Sequence, residues 1–160
     1  MKPPSAKGRY ITCADLSGRV GTYAADTIRF RPAAYGILEH HQNILLSRSR
    51  FTGLWDFPGG GVEPFESLPE GMTREFYEET GLTIVAGPLV YVAEGFIAMF
   101  GHPFHSLRFY YRCVMHDVTA VTLDPDMNEV SVLQWWPRDE LPIEQMHASD
   151  QEAYRRFMHE

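Results

Sequence analysis

Residues 60–82 read GGVEPFESLPEGMTREFYEETGL, and this stretch passes from turn-forming to helix-forming chemistry within a few residues. On its N-terminal side, Gly59, Gly60 and Gly61 follow Pro58 in FTGLWDFPGGGVEP. Glycine admits backbone conformations closed to other residues, so Phe51 to Pro64 is expected to be a loop. Ser67 then opens an S-x-x-E capping box with Glu70, and Pro69 suits the first helical turn, where its missing N–H matters least. The spacing predicts a helix from Leu68 to Thr80, stopped by Gly81 in a left-handed conformation. Leu68, Met72 and Phe76 recur at helical spacing and form its buried face.

Glu75, Glu78 and Glu79 project from that helix within about 100° of arc. Like charges at these spacings weaken a helix by roughly 0.2–0.5 kcal/mol per pair. The C-terminal end is also the unfavourable end of the dipole for anions. Local propensity therefore does not select these residues, and a functional reason is the physical alternative. Clustered hard oxygen ligands suit Mg²⁺ or Mn²⁺, which bridge readily to substrate phosphates. Arg74 precedes the triplet and reaches Glu78 at i+4, so it can keep the ligands from splaying. A glutamate cluster by itself is much more commonly a solvated helix face than a metal site, and the spacing of the surrounding residues has to decide.

Outward from the helix, Pro32 to Leu38 and Ile44 to Ser47 read as two strands joined by a polar turn at His40 to Asn43, a hairpin. Arg9 to Ala14 and Val20 to Phe30 are extended around Ser17-Gly18. Leu82 to Val85, Leu89 to Ala98, Leu107 to His116 and Val130 to Trp136 are rich in β-branched and aromatic residues and are expected as strands. His102 and His105 form an HxxH pair in the Pro103 segment, read as plain loop residues because no second ligand pair accompanies them. Ser149 to His159 has the composition of a closing helix. The order predicts an α/β (α+β) fold in which helices pack on a mixed β-sheet. Residues 1–26 are read as an N-terminal extension with a candidate hairpin, and 27–160 as a single domain.

The chain has 160 residues and a formal net charge of −7. That balance argues against a general affinity for nucleic-acid backbones, and a small anionic substrate would need a metal ion as neutraliser. Cys13 and Cys113 are far apart without CxxC spacing, so neither zinc nor a disulfide framework is indicated, and a cytoplasmic setting is the simpler expectation. No run approaches the ~20 apolar residues of a membrane span.

Gly60 to Leu82 has the form G-x5-E-x7-R-E-F-Y-E-E-T-G-L, with Glu66, Arg74, Glu75, Glu78, Glu79 and Gly81 in register. This resembles the Nudix box, G-x5-E-x7-R-E-U-x-E-E-x-G-U with U a bulky apolar residue, at every defined position. The preceding WDFPGG, from Trp55 to Gly60, and Trp135-Trp136 before DELP extend the likeness to about residues 28–158. The resemblance implies an α/β/α sandwich with a mixed sheet and a pyrophosphohydrolase acting on a nucleoside diphosphate linked to another group. By position, Glu75, Glu78 and Glu79 would be ligands of Mg²⁺ or Mn²⁺, with Gly60 offering its carbonyl. Glu66 and Arg74 would form an ion-paired brace beneath. The family often uses a further acid outside the box, for which Glu129 is the candidate, with Asp126 and Glu94 as alternatives. Arg48 and Arg50 are candidates for gripping phosphate and Trp55 for stacking on a base, although each is equally explained as an exposed strand end or a packed tryptophan. Homodimers are frequent among relatives, so self-pairing is left open. The alternative from another class is a catalytically silent nucleotide sensor or scaffold with the same fold.

Overall fold

The apolar run at 32–38 occupies the middle of a strand covered on both faces. In the computed structural model, which describes residues 5–116 and 130–159, this strand is β3 (Arg29–His40). Its Ala33, Tyr35 and Ile37 face one core, and Ala34 and Leu38 face the other. Alternation by two residues sends every second side chain to the same side, so continuous hydrophobicity is what a strand covered on both faces requires.

The hairpin to β4 (Asn43–Ser49) turns at His41 and Gln42, both left-handed with φ of 47° and 60°. Asn43 Nδ2 donates to the His41 carbonyl at 2.9 Å, which helps to hold a turn that carries no glycine. The two strands then separate after two residue pairs. β4 continues against β5 (Trp55–Asp56) and β9 (Val130–Pro137), whereas β3 runs parallel to β8 (His102–Met115). β8 is in turn antiparallel to β7 (Ile84–Met99). At the edge, β1 (Tyr10–Asp15) and β2 (Val20–Ala24) form a hairpin around Ser17-Gly18, and β1 joins β7 through Ala14 and Asp15.

Four local expectations are corrected. Residues 51–64 are not all loop, because β5 and a short strand β6 (Gly59–Gly61) lie within them. β6 pairs with the centre of β3, placing Gly59 opposite Tyr35 and Gly60 opposite Ala34. The segments 82–85 and 89–98 belong largely to one strand, β7, whose irregularities at Ala86–Leu89 and Leu89–Tyr91 absorb Gly87 and Pro88. His102 and His105 sit inside β8, since β7 supplies backbone partners as far as Met99 and His102. The extended segment from Val20 breaks at a 3-10 turn, Ala25–Thr27, before β3 begins.

Helix α1 (Leu68–Thr80) forms as expected. Ser67 accepts from the Glu70 N–H, Glu70 accepts from the Ser67 N–H, and Gly81 closes the helix at φ 74°. Met72 and Phe76 are fully buried against Ala34, Leu38 and Leu45 on one face of the sheet. On the opposite face α2 (Ala148–His159) buries Ala153 and Phe157 against Tyr35, Ile37 and Tyr110. The curled mixed sheet therefore lies between two helices, as anticipated. No helix among the described residues is long and apolar enough to cross a membrane.

Candidate active site

The capped start of α1 explains how the helix meets β6: the cap fixes where the helix begins, and the loop from β6 must return to it within six residues. Arg74 ties the two together. Its Nε donates to Glu66 Oε1 at 2.6 Å and its Nη2 to Glu66 Oε2 at 2.9 Å, a two-point guanidinium–carboxylate pair. Nη2 also donates to the Gly61 carbonyl at 3.2 Å, and Nη1 donates to Glu75 Oε1 at 2.7 Å. These bonds, with a further one from the Glu63 N–H, hold the Glu66 carboxyl down at about 2. The same carboxylates push the Arg74 guanidinium upward. The brace thus stays charged through the physiological range and fixes the loop, the helix and one catalytic candidate relative to one another.

Glu75 and Glu79 both reach β6. A Cβ on Gly60 would lie 2.6 Å from Glu75 Oε2, so only a glycine leaves that carboxylate where it is. Glu79 Oε2 accepts from the Gly59 N–H at 3.0 Å. Gly60, Glu75 and Glu79 share the wall of an open cavity of about 1230 Å³. Glu78, with its side chain 52% exposed, is turned toward Arg74 Nη1 at 3.5 Å and does not line that wall. Among the described residues no three His, Cys, Asp or Glu side chains converge as a ready metal cage.

The remaining candidates divide. Trp55 is 6% exposed and packs edge-to-face on Trp136 at 5.4 Å between ring centres, so it belongs to the core and offers no face to a base. Arg48 Nε donates to the Gly53 carbonyl at 2.9 Å, its guanidinium lies 5.9 Å from the Trp55 ring centre, and it does not line the cavity. Arg50 is exposed and likewise outside the cavity wall. Glu129 and Asp126 lie outside the described residues. Glu94, the other acid considered, lines the cavity and sits 2.7 Å from His105 Nε2.

Several residues that sequence reasoning did not single out line the same cavity. Arg29 and Arg31 contribute positive charge, and the exposed rings of Phe30, Phe51, Phe96 and Phe100 surround them. Deeper in are Asp56, Arg108 and His147. Arg108 Nη2 donates to Asp150 Oδ2 at 3.1 Å, and Asp150 is fully buried, also accepting from Tyr110 Oη and the Phe57 N–H at 3.2 Å each. One signal was available in the sequence: the alternation of LRFYYRCV puts Arg108, Tyr110 and Arg112 on one strand face, so a charged residue there must either be buried with a partner or break the face.

A mixed sheet between two helices, with a glycine strand and a glutamate-rich helix meeting over an open cavity, defines the class of α+β hydrolase domains built around a loop–helix motif. The NUDIX domain family model matches residues 29–157, and the chain belongs to the Nudix hydrolase family. It is 42% identical over 59 residues to an RNA pyrophosphohydrolase of Cellvibrio japonicus (strain Ueda107), a match covering 36% of this chain and 35% of that one. It is 41% identical over 58 residues to a CTP pyrophosphohydrolase of Escherichia coli (strain K12), covering 34% and 43%. These matches take in less than half the length of either relative. Among solved structures, the MutT protein of Methanosarcina mazei Go1 superposes with a TM-score of 0.62 at 26% identity, covering 82% of this chain and 95% of that one.

Proposed function

We propose that this protein hydrolyses a phosphoanhydride bond in a nucleoside diphosphate linked to another group, with Mg²⁺ or Mn²⁺ as cofactor. The observation that carries this reading is the meeting of Glu75 and Glu79 with the Gly59–Gly61 strand on one wall of the cavity, backed by the Arg74–Glu66 brace. Relatives named for hydrolysing RNA and CTP support the nucleotide part of it.

The donor set fits a hard divalent ion. Carboxylates and a backbone carbonyl are the oxygen ligands such ions prefer, and the close approach of Glu75 to Gly60 leaves no room for a side chain between them. Glu75 and Glu79 would hold the ion, with Glu78 reaching it by a change of rotamer, since that side chain is half exposed, whereas the register of β6 turns the Gly60 carbonyl toward Ala34 of β3. Bound there, the ion would screen the phosphate charge and lower the pKa of a coordinated water.

The protein's own groups do the rest. Arg29 and Arg31 line the same cavity, Arg31 beside the glycine strand with its Nη2 3.4 Å from where a Gly61 Cβ would stand, and both can meet the phosphate charge. Arg74 keeps Glu75 from swinging into solvent, so the carboxylate spends its time at the reacting centre and not in alternative rotamers. A carboxylate of the box accepts the proton as water attacks phosphorus, and the bond to the leaving phosphate oxygen breaks without a covalent enzyme intermediate.

The test is a nucleotide panel assayed for product by mass with Mg²⁺ present, comparing wild type with Glu79→Gln. Loss of turnover on the order of a hundredfold or more is expected. Equal rates would sink the assignment. Tight nucleotide binding without turnover under any divalent ion would instead establish the silent sensor.

A further inference from the structure

Three turns that are distant in sequence bring apolar side chains to the mouth of the cavity. Leu16 comes from the β1–β2 turn, Phe51 from the turn after β4 and Phe100 from the β7–β8 turn, and all three line the cavity that also holds Gly60, Glu75 and Glu79. The hairpin that carries Leu16 precedes residues 29–157, the segment matched by the family model. It adds a wall that the family domain does not itself supply.

Phe100 is in an unfavourable backbone position. Met99 stands opposite His102, so Phe100 and Gly101 are the two central residues of the turn, with φ of 49° and 80°. Two-residue turns with both φ values positive ordinarily carry Asn-Gly, because asparagine and glycine enter the left-handed region cheaply. A phenylalanine there is costly to the backbone, and its ring is 77% exposed, so neither local propensity nor burial selects it. The ring meets that of Phe51 edge-on, with centres 5.8 Å apart.

The polar groups around this mouth are already engaged. Asp15 Oδ1 accepts from the Ser17 N–H at 2.8 Å, from Ser17 Oγ at 2.6 Å and from the Arg19 N–H at 3.0 Å, which fixes the turn presenting Leu16. Ser49 Oγ accepts from the N–H groups of Phe51 and Thr52 at 3.2 and 3.3 Å, and Thr52 Oγ1 from that of Leu54 at 3.2 Å. Glu94 is held by His105. What the mouth offers a ligand is rigid apolar surface.

Strand register places this surface relative to the phosphates. Arg29 stands opposite Phe104, Phe104 opposite Ile97 and Ile97 opposite Ala14, so the four side chains share one face, and Leu16 follows just beyond β1. From the arginines on β3 to β1 is three strand spacings, about 14 Å along the sheet. A substrate whose phosphates lie at Arg31 and Gly60 therefore reaches Leu16 only through a substituent of some length.

Resting on the hydrolase reading above, we propose that Leu16 and Phe100 are specificity-determining residues that bind the group linked to the nucleoside diphosphate, and that this group is apolar or aromatic and not a sugar.

The probes are the methyl, glucosyl and phenyl esters of the four nucleoside diphosphates, each joined at the terminal phosphate. With Mg²⁺, the full-length wild type is expected to favour phenyl over methyl and glucosyl by about tenfold or more in kcat/KM. In Leu16→Ser and in Phe100→Asn the phenyl-to-methyl ratio should fall to within about threefold. Phe100→Asn should also melt at or above wild type, since asparagine suits the turn; a lower melting temperature with an unchanged ratio would make the ring a packing element and overturn the proposal. A wild type without the phenyl preference overturns it, as does a preference kept by both variants. So does a change in the ranking of bases at a fixed ester without a change among esters, which would seat the base at the mouth. If wild type hydrolyses none of the esters, the hydrolase reading falls, and calorimetry with the same esters and Mg²⁺ decides the mouth separately. Tighter binding of phenyl than methyl by wild type, lost in the variants, upholds the proposal, and equal or absent binding overturns it. Should one variant fail to fold, as seen by circular dichroism, the other decides between the same outcomes.

Discussion

Glu79 Oε2 accepts the backbone N–H of Gly59 at 3.0 Å, joining residues twenty positions apart across the α1–β6 contact. The adjacent glycines answer to different constraints. Gly59 has φ of 144°, and a Cβ there would lie 2.2 Å from the Ala34 carbonyl oxygen and 2.7 Å from Tyr35 Cα. That backbone cannot move without tearing β6 from β3. At Gly60 the obstacle is the end of the Glu75 side chain. Gly59→Ala is therefore expected to lose about 3 kcal/mol or more of stability. Gly60→Ala should keep its melting temperature near wild type and lose turnover on the order of a hundredfold by displacing Glu75. Thermal melts beside kcat measurements separate the two, and a matching loss of stability in both would refute the distinction.

The Glu66–Arg74 brace predicts a defined pH signature. Glu66 is held at about 2 against an ordinary value of 4.5, chiefly by Arg74, so the folded state prefers it charged. Its contribution is fully present above pH 4.5 and is lost as pH falls toward 2. Glu66→Gln should thus melt below wild type at neutral pH, with the gap closing in acid. Because the brace also positions Glu75, kcat is expected to fall roughly 10- to 100-fold at pH 7. A melting difference that stays constant between pH 6 and pH 2.5 would count against this account.

What could be read from the sequence was what is local. The Ser67–Glu70 box and Gly81 act within one turn of the helix, so both ends of α1 were visible in the residues themselves. The spacing of Glu66, Arg74, Glu75 and Glu79 likewise lies along one short segment. The β6 strand was not visible, because three glycines look like a loop until β3 offers them a partner. Trp55 shows the same limit: nothing in LWDF tells a rim ring from one packed on Trp136, eighty-one residues later. Arg108 and Asp150 come from β8 and α2, and their pairing is a tertiary fact that neither segment announces.

Asp56 carries a titration of the opposite sign from Glu66. Its folded pKa is raised above the ordinary 3.8 by burial first and by Asp150 second. The stability tied to its proton is fully present below pH 3.8 and is lost as pH rises through the higher folded value. Asp56→Asn keeps the shape and never takes on the charge. The variant is expected to gain on wild type as pH increases, and melts from pH 4 to pH 9 follow the divergence. Parallel curves would show that the carboxyl is not forced to hold its proton.

Metal binding can be tested apart from turnover by asking which glutamates carry the stabilisation. An ion that binds only the folded chain, supplied at a hundredfold excess over its dissociation constant, stabilises by about 2.7 kcal/mol. In a domain of this size that is a rise of several degrees in melting temperature. Glu75 and Glu79 lie on the cavity wall, whereas Glu78 is half exposed beside Arg74. Glu75→Gln and Glu79→Gln should therefore abolish most of the Mg²⁺-dependent shift, and Glu78→Gln should keep a larger part of it, since Glu78 must first leave Arg74 to reach the ion. Each variant removes like-charge repulsion on one face of α1 but also weakens a contact, that of Glu75 or Glu78 with Arg74 or of Glu79 with the Gly59 N–H, so the apo melting temperature of each variant serves as its own baseline. Only the difference with and without Mg²⁺ reports ligation. A full Mg²⁺ shift in the Glu75→Gln, Glu79→Gln double variant would place the ion elsewhere and leave the brace without a catalytic partner to position.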